Sequence, residues 1–238
     1  MRRITTSILT ICIVSFPAFS TSAFATVMLD DVLNMSLGSV SNSGADYVTL
    51  ASSSESSLAT ILIEYAGFAG SNKMGIYSPA DPSQVLQLFN GADHSGDSVT
   101  VTFDLTSGQA WIDANYKVNI GSTFGFYLDS TATTCKGGGL FYSDEQLNTW
   151  MDKGVEHALI YDTSGIQGAI NGNPDVVIAF EDLRINSSNY AYDGDFDDMV
   201  IGMSNVAPVP EPATIFLLGM GSLTLAGRGR KLGRMFKA

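Results

Sequence analysis

The residues best able to do chemistry lie in "FEDLRINSSNYAYDGDFDDMVIG", residues 180–202. Glu181 and Asp182 close one apolar run, and Asp193, Asp195, Asp197 and Asp198 lead into the next. If the two runs pair as a hairpin, six carboxylates meet at its mouth. In an extended strand Asp193, Asp195 and Asp197 point one way while Phe196, Asp198 and Val200 point the other. Asp198 then sits between two core-seeking side chains, where an unpaired charge is costly and calls for donors or a metal. Like charges about 5 Å apart at an effective dielectric near 20 repel by roughly 3 kcal/mol, enough to shift pKa values or recruit a cation. Oxygen donors without His or Cys select Ca²⁺ over zinc. The spacing opens like an EF-hand loop, but Asp198 stands in place of its glycine and Ser204 in place of its closing glutamate, which excludes that motif. The alternative to a Ca²⁺ site is that the acids solvate a turn or accept backbone amides.

Other chemistries lack their residues. His94 in "GADHSGDS" and His157 in "GVEHALIY" have no zinc-binding spacing and no nucleophile beside them, and His157 reads as structural. No nucleophile elbow, phosphate loop or dinucleotide fingerprint occurs; "KGGGLFY" lacks the Lys-Ser/Thr that a phosphate loop requires. The expectation is a protein that is not an enzyme. A glycan hydrolase, which needs only two placed carboxylates, ranks third. A carbohydrate-binding module ranks second, with Trp111, Trp150, Tyr190 and Tyr192 as rings for stacking on sugars, against their alternative use as β-core residues.

These residues must be held by strands. From Ala59 onward β-type runs recur between Gly, Asn, Asp and Pro clusters, among them "ATILIEY", "DSVTVTFDL", "TFGFYLD", "HALIYD" and "DVVIAFEDL". Val99, Val101, Phe103 and Leu105 alternate with Thr100, Thr102 and Asp104, and Phe124, Phe126 and Leu128 with Gly125, Tyr127 and Asp129, so each strand has one buried and one wet face. Val176 to Phe180 is apolar throughout, as befits a central strand covered on both sides. "SDEQLNTWMDKG", 143–154, predicts a short helix capped by Ser143 and ended by Gly154. The fold class expected is all-β: a jelly-roll-like β-sandwich with one short helix, flanked by an N-terminal signal helix and a C-terminal sorting helix. The domain occupies 59–206, after a Ser/Gly-rich segment, 26–58, with an edge strand at "DYVTL".

The ends carry addresses. Met1-Arg2-Arg3, an apolar stretch and Ala23-Phe24-Ala25 have the layout of a secretory signal peptide over 1–25, cut after Ala25 by signal peptidase. Its loss leaves Cys135 as the single cysteine, so no internal disulfide is possible. Residues 26–208 hold five basic and 23 acidic side chains, a net charge of −18 against −12 for the whole chain. Such a surface repels phosphate, excluding nucleic acid as a partner, and invites cations.

At the other end, residues 213–227 are apolar and 228–238 basic. A 15-residue helix spans about 22 Å of a hydrocarbon core of about 30 Å, so it anchors marginally, with its basic end on the cytoplasmic side. "VPEPATIFLLGMGSLTLAGRGRKLGR" resembles the PEP-CTERM sorting signal, most specifically at Val209, Pro210, Glu211, Pro212 and Ala213. The resemblance implies a Gram-negative exporter, transient anchoring in the inner membrane, cleavage by an exosortase, and a cell-surface or extracellular destination alongside exopolysaccharide and biofilm. A second resemblance covers roughly 120–203. "PDVVIAFEDL" and "DGDFDDMVIG" look like a bacterial extracellular family of unknown function marked by a D-x-D-[FY]-N-D strand. It implies possible Ca²⁺ use at Asp193, Asp195, Asp197 and Asp198, with Glu181 and Asp182 as neighbours; Asp197 stands where that family more often has Asn. The combined expectation is a structural or adhesive protein of an extracellular polysaccharide matrix.

Overall fold

The computed structural model describes residues 27–51, 55–64, 69–132, 137–185 and 192–210. Among them, one turn of α-helix, α1 (Leu29–Val32), precedes thirteen strands. These are β1 (Val48–Leu50), β2 (Ser56–Glu64), β3 (Lys73–Ser78), β4 (Asp81–Phe89), β5 (Ser98–Asp104), β6 (Gln109–Trp111), β7 (Val118–Asn119), β8 (Thr123–Asp129), β9 (Leu140–Tyr142), β10 (Ala158–Asp162), β11 (Val176–Phe180), β12 (Met199–Met203) and β13 (Val206–Pro208). They form two sheets, ordered β13-β1-β8-β3-β4 with β9 also on β8, and β10-β11-β12-β2-β5-β6-β7. Every ladder is antiparallel.

Alternate residues of the two sheets meet in one apolar core that includes Ile61, Ile76, Val101, Phe103, Phe124, Phe126, Ile178 and Ile201. Phe103 stacks on Phe124 across the sandwich, centroids 5.4 Å apart and planes 18° from parallel. The alternation expected along β5 holds at Val101 and Phe103, but Leu105 lies past the strand end and is exposed. On β8 the expected wet face is covered as well. Tyr77 packs edge-on to Tyr142 at 5.0 Å, and a Cβ on Gly125 would lie 2.4 Å from the Tyr77 ring, so only glycine admits that ring.

Three further expectations change. "DYVTL" is no edge strand: β1 lies between β13 and β8 because the chain's last strand returns to pair with it. The 143–154 segment is no α-helix; it forms turns and one 3₁₀ turn, Trp150–Asp152. Its capping side chains are used by the sheet instead. Ser143 Oγ donates to Asp46 O at 2.6 Å and accepts from Phe126 N at 3.0 Å. Asn148 accepts from Tyr142 N at 2.8 Å and donates to Val155 O at 3.0 Å. The α-helical turn lies in the Ser/Gly-rich segment, where Leu29, Val32, Leu33 and Leu37 pack on Leu159, Tyr161, Val177, Ala179 and Val200. That outer layer is why β11 is apolar at every position: Val176, Ile178 and Phe180 face the sandwich core, Val177 and Ala179 face α1. Residues 27–43 are tied down by Tyr161 Oη to Val27 O at 3.0 Å and Ser43 N to Ile160 O at 2.8 Å.

Among the described residues no helix is long and apolar enough to cross a membrane. The signal segment with Ala23 and Ala25, the 213–227 helix, Glu211, Pro212, Ala213, Cys135 and Tyr190 lie outside the described residues.

Leu29 is fully buried, so Leu29→Ala should cost about 2–5 kcal/mol by urea denaturation, the range for a leucine removed from a packed core. A segment that did not belong to the folded domain would give a change within about 0.5 kcal/mol.

Candidate metal centre

The β11–β12 ladder pairs Phe180 with Met199, so Glu181 and Asp182 leave one strand where Asp198 enters the other. Glu181 and Asp182 are 0 % and 1 % exposed. One carboxylate oxygen each from Glu181, Asp182 and Asp198 lie within 4.8 Å of one another, as do those of Glu181, Asp193 and Asp195. Glu181 is common to both groups.

Asp197 belongs to neither group; it lines a separate cleft with Asp31 and Glu64. The expected strand alternation fails here because residues 192–197 are not a strand. Gly194 (φ 71°) and Phe196 (φ 58°) are both left-handed, which is uncommon for a bulky side chain. The turn buries Phe196 in the outer apolar layer and leaves Asp193 and Asp195, but not Asp197, near Glu181.

Backbone amides supply part of the compensation. Glu181 Oε1 and Oε2 accept from Leu183 N at 3.3 Å and Gly194 N at 3.1 Å, and Asp198 Oδ2 accepts from Asp182 N at 2.9 Å. Asn72, buried, donates Nδ2 to Asp182 Oδ2 at 2.9 Å. No positive side chain makes an ion pair with any of the five clustered acids among the described residues. Burial first, then the Asp198 charge and Asp193, push Glu181 up to about 10. Burial, then Asp182, push Asp198 up to about 7. Burial also raises Asp182, against the Asn72 hydrogen bond, and raises Asp197 together with the neighbouring Asp195. Without a counter-charge the cluster therefore holds protons at neutral pH.

The donor set fits a hard cation. All candidate ligands are oxygens at short mutual range, and the buried Asn72 Oδ1 has no partner among the described residues although its amide already serves Asp182. Ca²⁺ takes six to eight such oxygens, carboxylate and amide carbonyl alike. Asn72, far away in sequence, carried no motif that could have flagged it.

Behind the acids lies a second polar layer. His157, fully buried, stacks on Phe141 (3.9 Å, 15°), with Nδ1 3.2 Å from Glu181 O and Nε2 3.3 Å from Asp152 Oδ1. Asp152 Oδ1 also accepts from Ile185 N at 3.1 Å, and Arg184 Nε is 3.9 Å from Asp152 Oδ2. Burial lowers the His157 pKa while Asp152 opposes that shift. The ring thus braces the backbone at Glu181, in keeping with a structural histidine. His94 is exposed, with Nδ1 3.8 Å from Glu64 Oε2.

Three of the four aromatic candidates lie among the described residues, in different surroundings. Trp150 is 84 % exposed at φ 64°, beside the exposed Met151. Trp111 carries Lys117 Nζ 4.0 Å over its ring. Tyr192 donates to Glu156 O at 3.1 Å and meets His157 edge-on at 5.5 Å. It lines a cleft of about 230 Å³ with Glu156, Ile185 and Asp193.

The last described strand ends at Pro208, and Val209 N still donates to Tyr47 O at 2.9 Å. Residues 208–231, which include Val209, Pro210, Glu211, Pro212 and Ala213, match the PEP-CTERM protein-sorting motif. No curated protein sequence and no solved structure matches the chain. The motif implies export, processing by an exosortase, and sorting to the cell surface or the extracellular space.

The pH dependence follows from the raised acids. The folded state holds the Glu181 and Asp198 protons more tightly than the unfolded chain, so the stability they contribute is complete below their ordinary values of 4.5 and 3.8. It is lost as pH rises towards about 7 for Asp198 and about 10 for Glu181. With chelator present, the melting temperature should fall from about pH 5 to about pH 9, and Glu181→Gln should flatten that slope, read by thermal scans across the series. A melting temperature rising over the same window would mean that another group already neutralises the cluster.

Proposed function

We propose that the exported protein is a structural or adhesive component of an extracellular polysaccharide matrix, with Ca²⁺ bound at the mouth of the β11–β12 hairpin. The observation that carries this reading is Glu181, fully buried and shared by two groups of carboxylates that no cationic side chain pairs with among the described residues. Glu181, Asp182 and Asp198 would hold the ion, with Asp193 and Asp195 closing it from the 192–197 turn. Bound there, Ca²⁺ would neutralise charge and tie that turn to the sheet, a stabilising task that needs no reaction. The sorting motif supports a role outside the cell, where millimolar Ca²⁺ suffices for a weak site.

A second reading, carbohydrate binding, is favoured by Trp150. A bulky residue held at left-handed φ with its ring in solvent is unusual. Its loop is fastened by Gly154 N to Glu145 O at 2.9 Å and by both Asn148 amide bonds. Such a fixed indole suits stacking on the apolar face of a sugar ring.

Calorimetry and polysaccharide pull-down test both together. Ca²⁺ at 100 times its Kd should stabilise by about 2.7 kcal/mol, roughly 5–10 °C of melting temperature for a domain of this size, and Asp198→Asn should abolish the shift. Mg²⁺, which demands tighter octahedral geometry, should act weakly. Trp150→Ala should weaken retention on polysaccharide at least tenfold without changing the melting temperature. Release of reducing sugar would point instead to a hydrolase. Processing is checked by intact mass, which should lack the residues beyond the Pro-Glu-Pro; a species still ending at Ala238 would mean the tail is retained.

A further inference from the structure

On the outer side of the second sheet, away from the paired carboxylate groups, α1 and the end of β2 border a cleft of about 670 Å³. Its acidic lining comes from three separate parts of the chain: Asp31 from α1, Glu64 from β2 and Asp197 from the turn before β12. Among the described residues no Lys or Arg lines it. Glu64 is the unusual member. Its side chain is 5 % exposed, and Oε1 is buried without a hydrogen-bond partner among the described residues. Oε2 has only the His94 ring nearby, at 3.8 Å, and that ring is 78 % exposed to water. A carboxyl buried with an unmet oxygen costs about 1–3 kcal/mol or more unless a donor reaches it. The loop that could have swung in to help is committed elsewhere: Ser95 Oγ donates to Leu62 O at 2.7 Å and Gly96 N to Ile61 O at 2.8 Å.

The spacing of the acids says what kind of donor fits. Glu64, Asp31 and Asp197 do not fall into a group with ligand oxygens within 4.8 Å of one another, so one small metal ion cannot join them. Beside the acids and the polar Asn34 and Ser95, the cleft wall carries the aliphatic Leu33, Leu62 and Ile63. Separated negative groups joined by apolar wall complement a cation that has its own apolar stem. The charge of the surroundings agrees: burial, opposed by the His94 ring and helped by Asp93 and Asp97, on balance disfavours ionisation of Glu64, which an incoming positive charge would reverse.

We propose that the Glu64 cleft binds a primary ammonium group carried on an aliphatic stem, with Glu64 taking the ammonium and the exposed Asp31 a second charge. The ammonium pairs with the Glu64 carboxylate, while the methylenes lie on Leu33, Leu62 and Ile63. This chemistry has two sources outside a cell, free polyamines and the lysine side chains of another protein.

Calorimetric titration of the exported protein, kept saturated with Ca²⁺ so that the carboxylate cluster is not the receptor, tests the proposal. The probes are cadaverine and spermidine for the free amines, Nα-acetyl-lysine amide for a protein-borne lysine, and 1,5-pentanediol as the uncharged control. Saturable binding of the amines and not of the diol is expected. Preference for the diamines would assign a free polyamine; preference for the lysine amide would assign a protein partner. Glu64→Gln should weaken binding at least tenfold, as for loss of a charge-assisted hydrogen bond. Asp31→Asn, at an exposed position, should weaken diamine binding several-fold and serves where Glu64→Gln does not fold. Asp198→Asn should leave amine affinity unchanged, so failure of the Ca²⁺ reading would not carry this one with it. The proposal is overturned if no amine binds saturably at millimolar concentration, if the diol binds as well, if Asp31→Asn binds diamine as tightly as the natural sequence, or if Ca²⁺ displaces the amine.

Discussion

The pairing of β11 with β12, register Phe180 to Met199, determines where negative charge must accumulate in this protein. Both strands are buried along their whole length, so the residues that immediately follow one and precede the other cannot drift into water. Glu181, Asp182 and Asp198 are consequently held where apolar packing ends and where, among the described residues, no lysine or arginine makes an ion pair with them. Protons, backbone amides or a cation must make up the difference, and the amides visible at Glu181 and Asp198 do so only in part. The position of the second polar layer has the same origin, since His157 opens onto β10 and its ring nitrogen holds the carbonyl of Glu181.

Burial on both faces needs a third layer, and α1 provides it. Without Leu29, Val32 and their neighbours, Val177, Ala179 and Val200 would face water and the second sheet would need only an alternating pattern. The same layer creates the acidic cleft at Glu64, because α1 forms one wall of it. Two acidic regions thus share one cause, the covering of β11 and β12 from outside, while differing in geometry. One gathers carboxylates within the reach of a single ion; the other spreads them along an aliphatic wall.

Residues 26–208 carry a net charge of −18, which sets up repulsion towards other negatively charged surfaces. The sorting motif begins where β13 leaves the sheet, with Val209 still hydrogen-bonded to Tyr47. The basic residues of the tail begin at Arg228, with residues 210–227 between them and the last residue hydrogen-bonded to the fold. Their removal by an exosortase would leave the exported part more strongly anionic than the whole chain.

The amino-acid sequence by itself determined the all-β class, the strand positions, the apolar run of β11 and the proximity of Glu181, Asp182 and Asp198, because period-two patterning and a hairpin between neighbouring strands are local properties. It also carried the sorting motif, which is a contiguous string. What it left open depended on residues far apart in the chain. Asn72 reaches Asp182 across 110 positions; β13 returns to make β1 an inner strand; Ser143 and Asn148 abandon a helix to satisfy backbone groups of the sheet. Asp197 looked equivalent to Asp195 until the left-handed Phe196 turned the chain between them. Trp150, by its type a core candidate, is placed in solvent by a loop whose fastenings only the tertiary structure brings together. Local patterning decides which residues are apolar or charged, whereas the balance of buried polar groups is decided by whatever the fold sets beside them.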